Sequence, residues 1–350
     1  MKILKYLIYL ILLLGIGGAI LISTDKGVYT LSATKKLDIP QEMVYDAIRN
    51  WDNWKNWHER WTEDPTTSLH SESKTLEWVS KNNLYEKGFA KFTKSIPHTT
   101  LEFESDIQTS SGNMHQKNKI KLERKDNTST LVHWDSEVTL SFGQKLKKRL
   151  GKGKQYIESE TEMFLSSLDA LANILTQEME KHHSEVVGMT IIPETNYIHT
   201  ATNSTKTNFI PTAINKINQL YQFAEQYGIP IIGSPEVIIH KRENNQKNFL
   251  FSVALPLPEG YELNLENPEF VIGTFEIQSV LKTTLVGNYK YWDETLELGI
   301  EYLEKQRLVY PLEEGIILKW TNFKDQPVNP AKWLTEIYIP AYEPETLIIP

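Results

Sequence analysis

The sequence predicts an α+β protein in which an N-terminal transmembrane helix precedes two domains built from antiparallel strands and helices. Three observations support this fold class. An uncharged, almost wholly apolar run occupies residues 6–22. Residues 28–183 contain runs that alternate apolar and polar side chains, followed by one long amphipathic helical pattern. Residues 184–350 contain a strand–helix–strand–strand pattern that occurs twice.

The composition is that of a globular protein and excludes several kinds of site. Of the 350 residues, 40% are hydrophobic and 11% aromatic, which suffices for two cores. Cysteine is absent, which excludes disulfides, a thiolate nucleophile and cysteine-based metal sites. Residues 185–350 carry 12 Lys and Arg against 21 Asp and Glu, an acidic balance that argues against nucleic acid as a partner. Metalloprotease, P-loop and serine-hydrolase motifs are missing, so the sequence implies no metal ion and no cofactor.

The N-terminal run is long enough to span a membrane. With Ile3 and Leu4, residues 6–22 match a hydrocarbon core of about 30 Å. Lys2 and Lys5 precede the run, so the positive-inside rule predicts a single-pass protein of the cell membrane with a cytoplasmic N-terminus and extracytoplasmic domains. The alternative is a cleaved signal peptide. We prefer an uncleaved anchor over residues 1–25 because the run is long and has no small-x-small cleavage pattern.

The first domain is predicted over residues 26–183. A strand over residues 28–39 and a helix over 41–49 precede four tryptophans at helical spacing, which we interpret as one stripe packed in a core: Trp51, Trp54, Trp57 and Trp61. Five strands follow, at residues 74–80, 84–93, 99–107, 116–124 and 130–142. In the last strand, the predicted inward residues are Val132, Trp134, Val138, Leu140 and Phe142. A helix over residues 155–181 has an apolar stripe that includes Phe164, Leu168, Leu171 and Leu175.

This order of elements, together with the Trp-x-x-Trp-x-x-Trp run, resembles the SRPBCC superfamily of polyketide-cyclase and START-like helix-grip domains. The resemblance covers residues 28–183. It implies a curved sheet around a long helix and a cavity for an apolar ligand, lined by Trp78, Phe103 and Trp134. From the residues alone, it is an equally good interpretation that these side chains simply fill the interior.

A basic run lies between the last strand and the long helix of this domain. Its cations are Lys145, Lys147, Lys148, Arg149, Lys152 and Lys154. We interpret the run as a solvated loop. Contact with anionic lipid headgroups is the alternative, because the predicted anchor holds the domain near a bilayer.

The second domain is predicted over residues 184–350. Strands at residues 185–192 and 196–201 precede a helix over 209–227, which Gly228 and Pro230 end. Strands follow at residues 237–241, 249–255, 270–277 and 279–285. A helix over residues 291–306 and strands at 315–321 and 333–339 complete the pattern. The duplication predicts two pseudo-symmetric halves with a groove between them.

The last strand differs from its earlier copy on one face. Trp333, Thr335, Ile337 and Ile339 form a face suited to packing on helices, whereas the opposite face carries Leu334, Glu336 and Tyr338. In the copy at residues 249–256, that opposite face carries Leu250, Ser252 and Ala254. Only the second copy therefore carries titratable side chains.

The turn Gly287-Asn288-Tyr289 and the strand Glu336-Ile337-Tyr338-Ile339-Pro340 resemble the GyrI-like small-molecule-binding domain, the effector-binding domain of AraC- and MerR-type regulators. The resemblance implies that Glu336, Tyr338, Tyr289 and Trp292 line the groove, where the carboxylate meets cationic or polar ligands. The chain departs from those regulators because no helix-turn-helix precedes the domain. We therefore do not expect a transcription factor.

Three functions follow from these patterns. The leading hypothesis is a membrane-anchored protein whose domains bind small apolar or amphipathic molecules, cations among them, without chemistry. The alternative is a hydrolase of a reactive small electrophile, with Glu336 as general base and Tyr338 as proton donor. A third possibility is a structural protein of the cell envelope that binds no ligand.

Overall fold

The computed structural model describes residues 2–82, 85–147, 153–242, 248–261, 269–311 and 315–344. The predicted α+β class is confirmed. The chain divides into two compact units, Met1–Gln177 and Glu178–Pro350, and each contains one antiparallel sheet in its described part. The first helix, α1 (Lys2–Ser23), includes a segment, Leu4–Ser23, with a mean hydropathy of 2.4. By length and composition α1 could cross a membrane or act as a signal sequence.

The first unit consists of α1, a meander of seven strands and five further helices in the described residues. After α1 come β1 (Val28–Leu37), α2 (Gln41–Arg49), α3 (Trp51–Trp57) and α4 (Glu59–Thr62). The next strands are β2 (Ser68–Glu72), β3 (Thr75–Val79), β4 (Lys87–Ile96), β5 (Thr100–Thr109), β6 (Gly112–Arg124) and β7 (Thr130–Leu140). Helices α5 (Phe142–Lys147) and α6 (Gly153–Met179) follow. The sheet order is β1-β7-β6-β5-β4-β3-β2, with antiparallel neighbours throughout.

The tryptophan stripe of α3 and α4 lies in the core of the first unit. All four predicted members, Trp51, Trp54, Trp57 and Trp61, are buried, as the periodicity predicts. On the long helix α6, Phe164 stacks on Trp134 of β7 with 4.3 Å between ring centroids. Large aromatic side chains from the sheet and from three helices therefore fill the space between these layers.

The end of β7 corrects one prediction. Phe142 was expected to point inward as part of the strand, but the strand ends at Leu140 and the Phe142 side chain is 50% exposed. The reason is that α5 begins at Phe142, directly after Ser141. The backbone N–H of Ser141 donates to Oε1 of Gln144 at 3.0 Å, which is half of a capping box. Neither α5 nor the short, mostly polar β2 was predicted.

The second unit repeats one arrangement of strands and helix. Its elements are β8 (His183–Ile192), β9 (Thr195–Thr205), α7 (Phe209–Gln226), β10 (Glu236–Arg242), β11 (Asn248–Pro256), β12 (Val271–Phe275), β13 (Gln278–Val286), α8 (Trp292–Gln306), β14 (Ile316–Thr321) and β15 (Leu334–Pro340). The sheet order is β12-β9-β11-β10-β14-β15-β13-β8. This order is palindromic when β8–β11 are matched with β12–β15, so the predicted duplication is present. The first strand of each repeat pairs with the second strand of the other repeat.

Helices α7 and α8 cover one face of this sheet. Ile337 and Ile339 of β15 and Phe251 and Val253 of β11 are fully buried in a core shared with both helices, as the alternation predicts. The opposite face carries a smaller apolar cluster centred on Tyr197, Ile238, Ala254 and Ile317. We call this second surface the open face, because no residue of a described helix belongs to this cluster; its four central side chains are nevertheless buried.

Candidate functional site

Two rows of side chains cross the open face along directly opposed residues of neighbouring strands. In the first row, Glu236 of β10 pairs with Lys319 of β14, and Lys319 pairs with Glu336 of β15. In the second row, Ile238 pairs with Ile317, which pairs with Tyr338. Directly opposed residues project on the same side of a sheet. The pairing of the two repeats along β10 and β14 therefore brings two carboxylates and a lysine beside an apolar strip.

Glu336 is held by two donors at the centre of this site. Lys282 Nζ on β13 lies 2.5 Å from Oε1, and the Tyr338 hydroxyl donates to Oε2 at 2.7 Å. The Glu336 side chain is 20% exposed. Burial raises the pKa of Glu336, but the hydrogen bonds from Lys282 and Tyr338 outweigh burial and hold the pKa below its ordinary value. Glu336 is thus a partly buried, ionised carboxylate that solvent and ligands can still reach.

Glu236 is the contrasting carboxylate of the same row. Its side chain is 8% exposed, and Oε1 lies 3.8 Å from Lys319 Nζ. The Tyr197 hydroxyl also hydrogen-bonds to Glu236. Burial raises the pKa of Glu236 against the opposing effects of Lys319 and Tyr197, and the charge of Glu336 raises it further. In the folded protein, ionisation of Glu236 is therefore less favourable than ionisation of Glu336.

The two phenols of the site, Tyr338 and Tyr197, can donate hydrogen bonds only while their hydroxyl groups stay protonated. Burial, together with Glu336, raises the pKa of Tyr338. Burial, together with Glu236, raises the pKa of Tyr197. Each phenol therefore remains a neutral hydrogen-bond donor to its carboxylate over the ordinary pH range.

The first repeat places different chemistry at the equivalent end of the open face. His240 Nε2 of β10 lies 2.7 Å from the Ser252 hydroxyl of β11. His199 of β9 is also half-buried there, and burial lowers the pKa of both histidines. The open face thus has a carboxylate–lysine end and a neutral histidine–serine end, separated by Ile238 and Ile317.

Two of the predicted groove residues lie on the other side of the sheet. Tyr289 and Trp292 are buried in the core beneath α7 and α8, together with Ile337 and Ile339. Tyr289 stacks on Trp320 with 4.2 Å between ring centroids, and its hydroxyl donates to Gln326 at 2.8 Å. The structure brings Glu336 and Tyr338 together but does not bring Tyr289 or Trp292 to them.

The other three predicted residues border a small cavity in the first unit. Trp78, Phe103 and Trp134 are buried, and the cavity that they line with other aromatic and polar side chains has a volume of about 20 Å³. A space of this size holds roughly one water molecule, not an apolar ligand. The Nε1 atoms of Trp61 and Trp78 and the Nε2 atom of Gln116, which belong to lining residues, have no partner among the described residues. Such donors are ordinarily satisfied by ordered water.

Three charged residues of the site were not predicted from the sequence, although each left a signal. Glu236 directly precedes the strand predicted at residues 237–241, and Lys319 lies in the strand predicted at residues 315–321. Lys282 interrupts the apolar run of β13. A charged side chain in a buried strand usually has a partner. The signal was therefore present, but the partners are distant in sequence and only the strand pairing identifies them.

Comparisons with known proteins identify no family for the chain. No family model matches it, and no curated protein matches it. Among solved structures, EcmrR in a DNA complex has a TM-score of 0.40 at 13% identity, covering 57% of this chain and 72% of that chain. The EcmrR C-terminal domain has a TM-score of 0.37 at 11% identity, covering 46% of this chain and 98% of that chain. A protein from Rhizobium leguminosarum has a TM-score of 0.35 at 14% identity, covering 43% and 96%.

At these scores the likeness carries no argument about function. None of these three structures is named as an SRPBCC protein, so that resemblance of the first unit stays a prediction.

Proposed function

We propose that the protein is a membrane-anchored binder of small amphipathic molecules, and that Glu336 on the open face receives the cationic or donor group of the ligand. The observation that carries the proposal is the half-buried, ionised Glu336 beside an apolar strip. A carboxylate in such surroundings is incompletely solvated, so it attracts a cation that can displace Lys282. The resemblance of the Glu336 strand to GyrI-like domains supports the same assignment.

The open face matches an amphipathic ligand in two respects. The partly buried ring of Tyr338, which packs against the buried side chains of Ile238 and Ile317, offers an apolar surface on which a hydrophobic body can lie. Glu336 then accepts a hydrogen bond or ion pair from the polar end of the ligand, in competition with Lys282. Lys282 Nζ is 5.7 Å from the centroid of the Tyr338 ring, where a ligand cation would gain the same cation–π attraction.

Binding is favoured over the hydrolase alternative by the direction of the Glu336 pKa. A general base works best when its pKa lies near the working pH. Lys282 and Tyr338 lower the pKa of Glu336 instead, and Tyr338 is already committed as a donor to Glu336. Both features support a receptor for a cation more than a proton-transfer pair.

The anchor belongs to the same proposal. Leu4–Ser23 has the length and hydropathy of a membrane span, and Lys2 and Lys5 precede most of it. These features support a single-pass protein with a cytoplasmic N-terminus and extracytoplasmic units. Site and anchor together would place a receptor for amphipathic molecules at the membrane surface, where such molecules concentrate.

The test uses the full chain in lipid nanodiscs, with empty discs as the blank, and tetraphenylphosphonium as the lipophilic cation. Glu336→Gln keeps the shape of the side chain and removes its charge. We expect it to weaken binding about tenfold or more, equivalent to roughly 1.4 kcal/mol. The matched control is Glu301→Gln on the exposed surface of α8, which should bind like the parent. Equal affinity of the parent and Glu336→Gln would remove Glu336 from the ligand site.

A further inference from the structure

Helix α5 exposes two large apolar side chains on one face. Phe142 is 50% exposed and Leu146 is 40% exposed, and the four-residue spacing puts both on the same side of the helix. Contiguous exposed apolar surface of this kind ordinarily marks a contact with a partner or a membrane.

Polar contacts fix the helix in this orientation. Gln144 receives a hydrogen bond from the Ser141 backbone at 3.0 Å and donates to Thr109 at 3.3 Å. Gly143 lies so close to Ser111 that a Cβ at this position would be 2.3 Å from the Ser111 carbonyl oxygen. The inner side of α5 is therefore held against the β5–β6 hairpin, and Phe142 and Leu146 are left outward.

The same helix lies at the base of α1. Lys145 Nζ donates to the Asp25 carbonyl oxygen at 2.6 Å, two residues after α1 ends. Ile22, in the last turn of α1, is 6% exposed, whereas the side chains earlier in α1 are mostly exposed. The end of α1 is thus packed into the first unit, and α5 lies beside the point where α1 leaves it.

We propose that α5 is an interfacial foot, which inserts Phe142 and Leu146 into the boundary between lipid headgroups and acyl chains. The proposal rests on the anchoring role proposed for α1. If α1 spans the bilayer, its end at Ser23 marks the level of the membrane surface, and α5 is held at that level by Lys145. Amphipathic helices bind this boundary through an apolar face flanked by cations, and their length is not what decides it.

The charge around α5 suits anionic headgroups. The helix contains Lys145 and Lys147, and the sequence after it continues with more cations up to Lys154. Residues 148–152 of this run lie outside the described residues. Anionic lipid attracts basic segments beside a membrane span, with an attraction that falls within a Debye length.

The experiment exploits the absence of cysteine, because a single introduced cysteine gives a unique spin label. The full chain would be reconstituted in vesicles of equal parts phosphatidylcholine and phosphatidylglycerol. Labels at Phe142→Cys and Leu146→Cys should lose collisions with a water-soluble nickel chelate and gain collisions with oxygen. The control Val79→Cys is also highly exposed but lies on β3, and should remain fully accessible to the chelate.

A fourth label, Leu12→Cys in the middle of α1, separates the two proposals. Bilayer-like accessibility at Leu12 with water-like accessibility at Phe142 and Leu146 would overturn the foot and leave the anchor intact. Water-like accessibility at Leu12 would overturn both. Spin–spin broadening at Phe142→Cys that vanishes on dilution with unlabelled protein would assign the face to a second copy of the chain, and would also overturn the foot.

Discussion

Glu236 and Glu336 stand in one row on the open face, yet their surroundings push their pKa values in opposite directions. Glu236 is buried enough for desolvation to dominate, whereas Glu336 keeps some exposure and accepts two strong hydrogen bonds. Lys319 lies between the two carboxylates and attracts both. The site therefore combines one carboxylate suited to binding a cation with another that is costly to ionise.

The opposite pKa shifts predict opposite effects on stability. Because folding raises the pKa of Glu236, its favourable contribution is complete below the ordinary glutamate value of 4.5 and is lost as the pH rises through the folded value. Glu236→Gln should therefore be more stable than the parent at neutral pH, and this gain should shrink toward pH values below 4.5. Urea unfolding at neutral pH and at a pH below 4.5 measures the difference in the free energy of unfolding between Glu236→Gln and the parent.

Glu336→Gln is the matched comparison, with the sign reversed. Folding lowers the pKa of Glu336, so its contribution is present above 4.5 and is lost as the pH falls through the folded value. Glu336→Gln should lose stability at neutral pH and lose little in acid. If the difference in stability from the parent changed in the same direction with pH in both variants, the result would contradict the opposite pKa shifts of Glu236 and Glu336.

At the scale of single residues, the sequence predicted the pair Glu336 and Tyr338 but not the residues that surround them. Two residues on one face of one strand are related by local geometry alone, which alternation reveals. Lys282 and Lys319 reach Glu336 through strand pairing between distant segments, which alternation does not specify. Tyr289 and Trp292 came from a family resemblance, and their burial beneath the helices depends on packing.

Strand β4 contains a glycine, Gly88, at a position where any larger residue would clash with its neighbours. Gly88 pairs with Trp78 of β3, and the Trp78 indole lies over it. A Cβ at Gly88 would be 2.2 Å from Trp78 Cζ2 and 2.6 Å from the Asp106 carbonyl oxygen. The close approach allows Trp78 to turn inward toward the aromatic core.

We therefore expect Gly88→Ala to lower the free energy of unfolding by about 1–3 kcal/mol, the usual cost of overpacking a core. The exposed Lys91 on the same strand provides the control. Lys91→Ala should change stability by no more than about 0.5 kcal/mol. Chemical denaturation followed by tryptophan fluorescence measures both variants, and equal stabilities would show that Trp78 can move aside at little cost.

Element types were largely predictable because their periodicities are strong, whereas ends depend on local hydrogen bonds. The stripe on α6 and the inward face of β15 are as predicted. β7 was extended to Phe142 because alternation alone carries no stop signal. The capping residues Ser141 and Gln144 supply that signal, at the spacing of a capping box.

At the scale of the whole chain, an apolar helix begins the first of two units, and the described part of each unit has a sheet and a core of its own. If α1 is an uncleaved anchor, the protein recovered from membranes should keep residues 1–25. We expect intact-mass measurement to give the full chain, and alkaline carbonate to leave it in the membrane pellet. A chain lacking residues 1–25 should remain in the supernatant. Loss of the N-terminal segment from the mature protein would identify a signal peptide instead.

The exchange of first strands between the two repeats bears on when the second unit can fold during synthesis. β8 pairs with β13, which the ribosome makes only after β9, α7, β10, β11 and β12. β9 likewise acquires its outer neighbour, β12, only after the first repeat is complete. Such distant pairings make folding slow and place it late. β8 and β9 therefore lack these partners until β13 and β12 have been made, so the sheet of the second unit can close only late in synthesis.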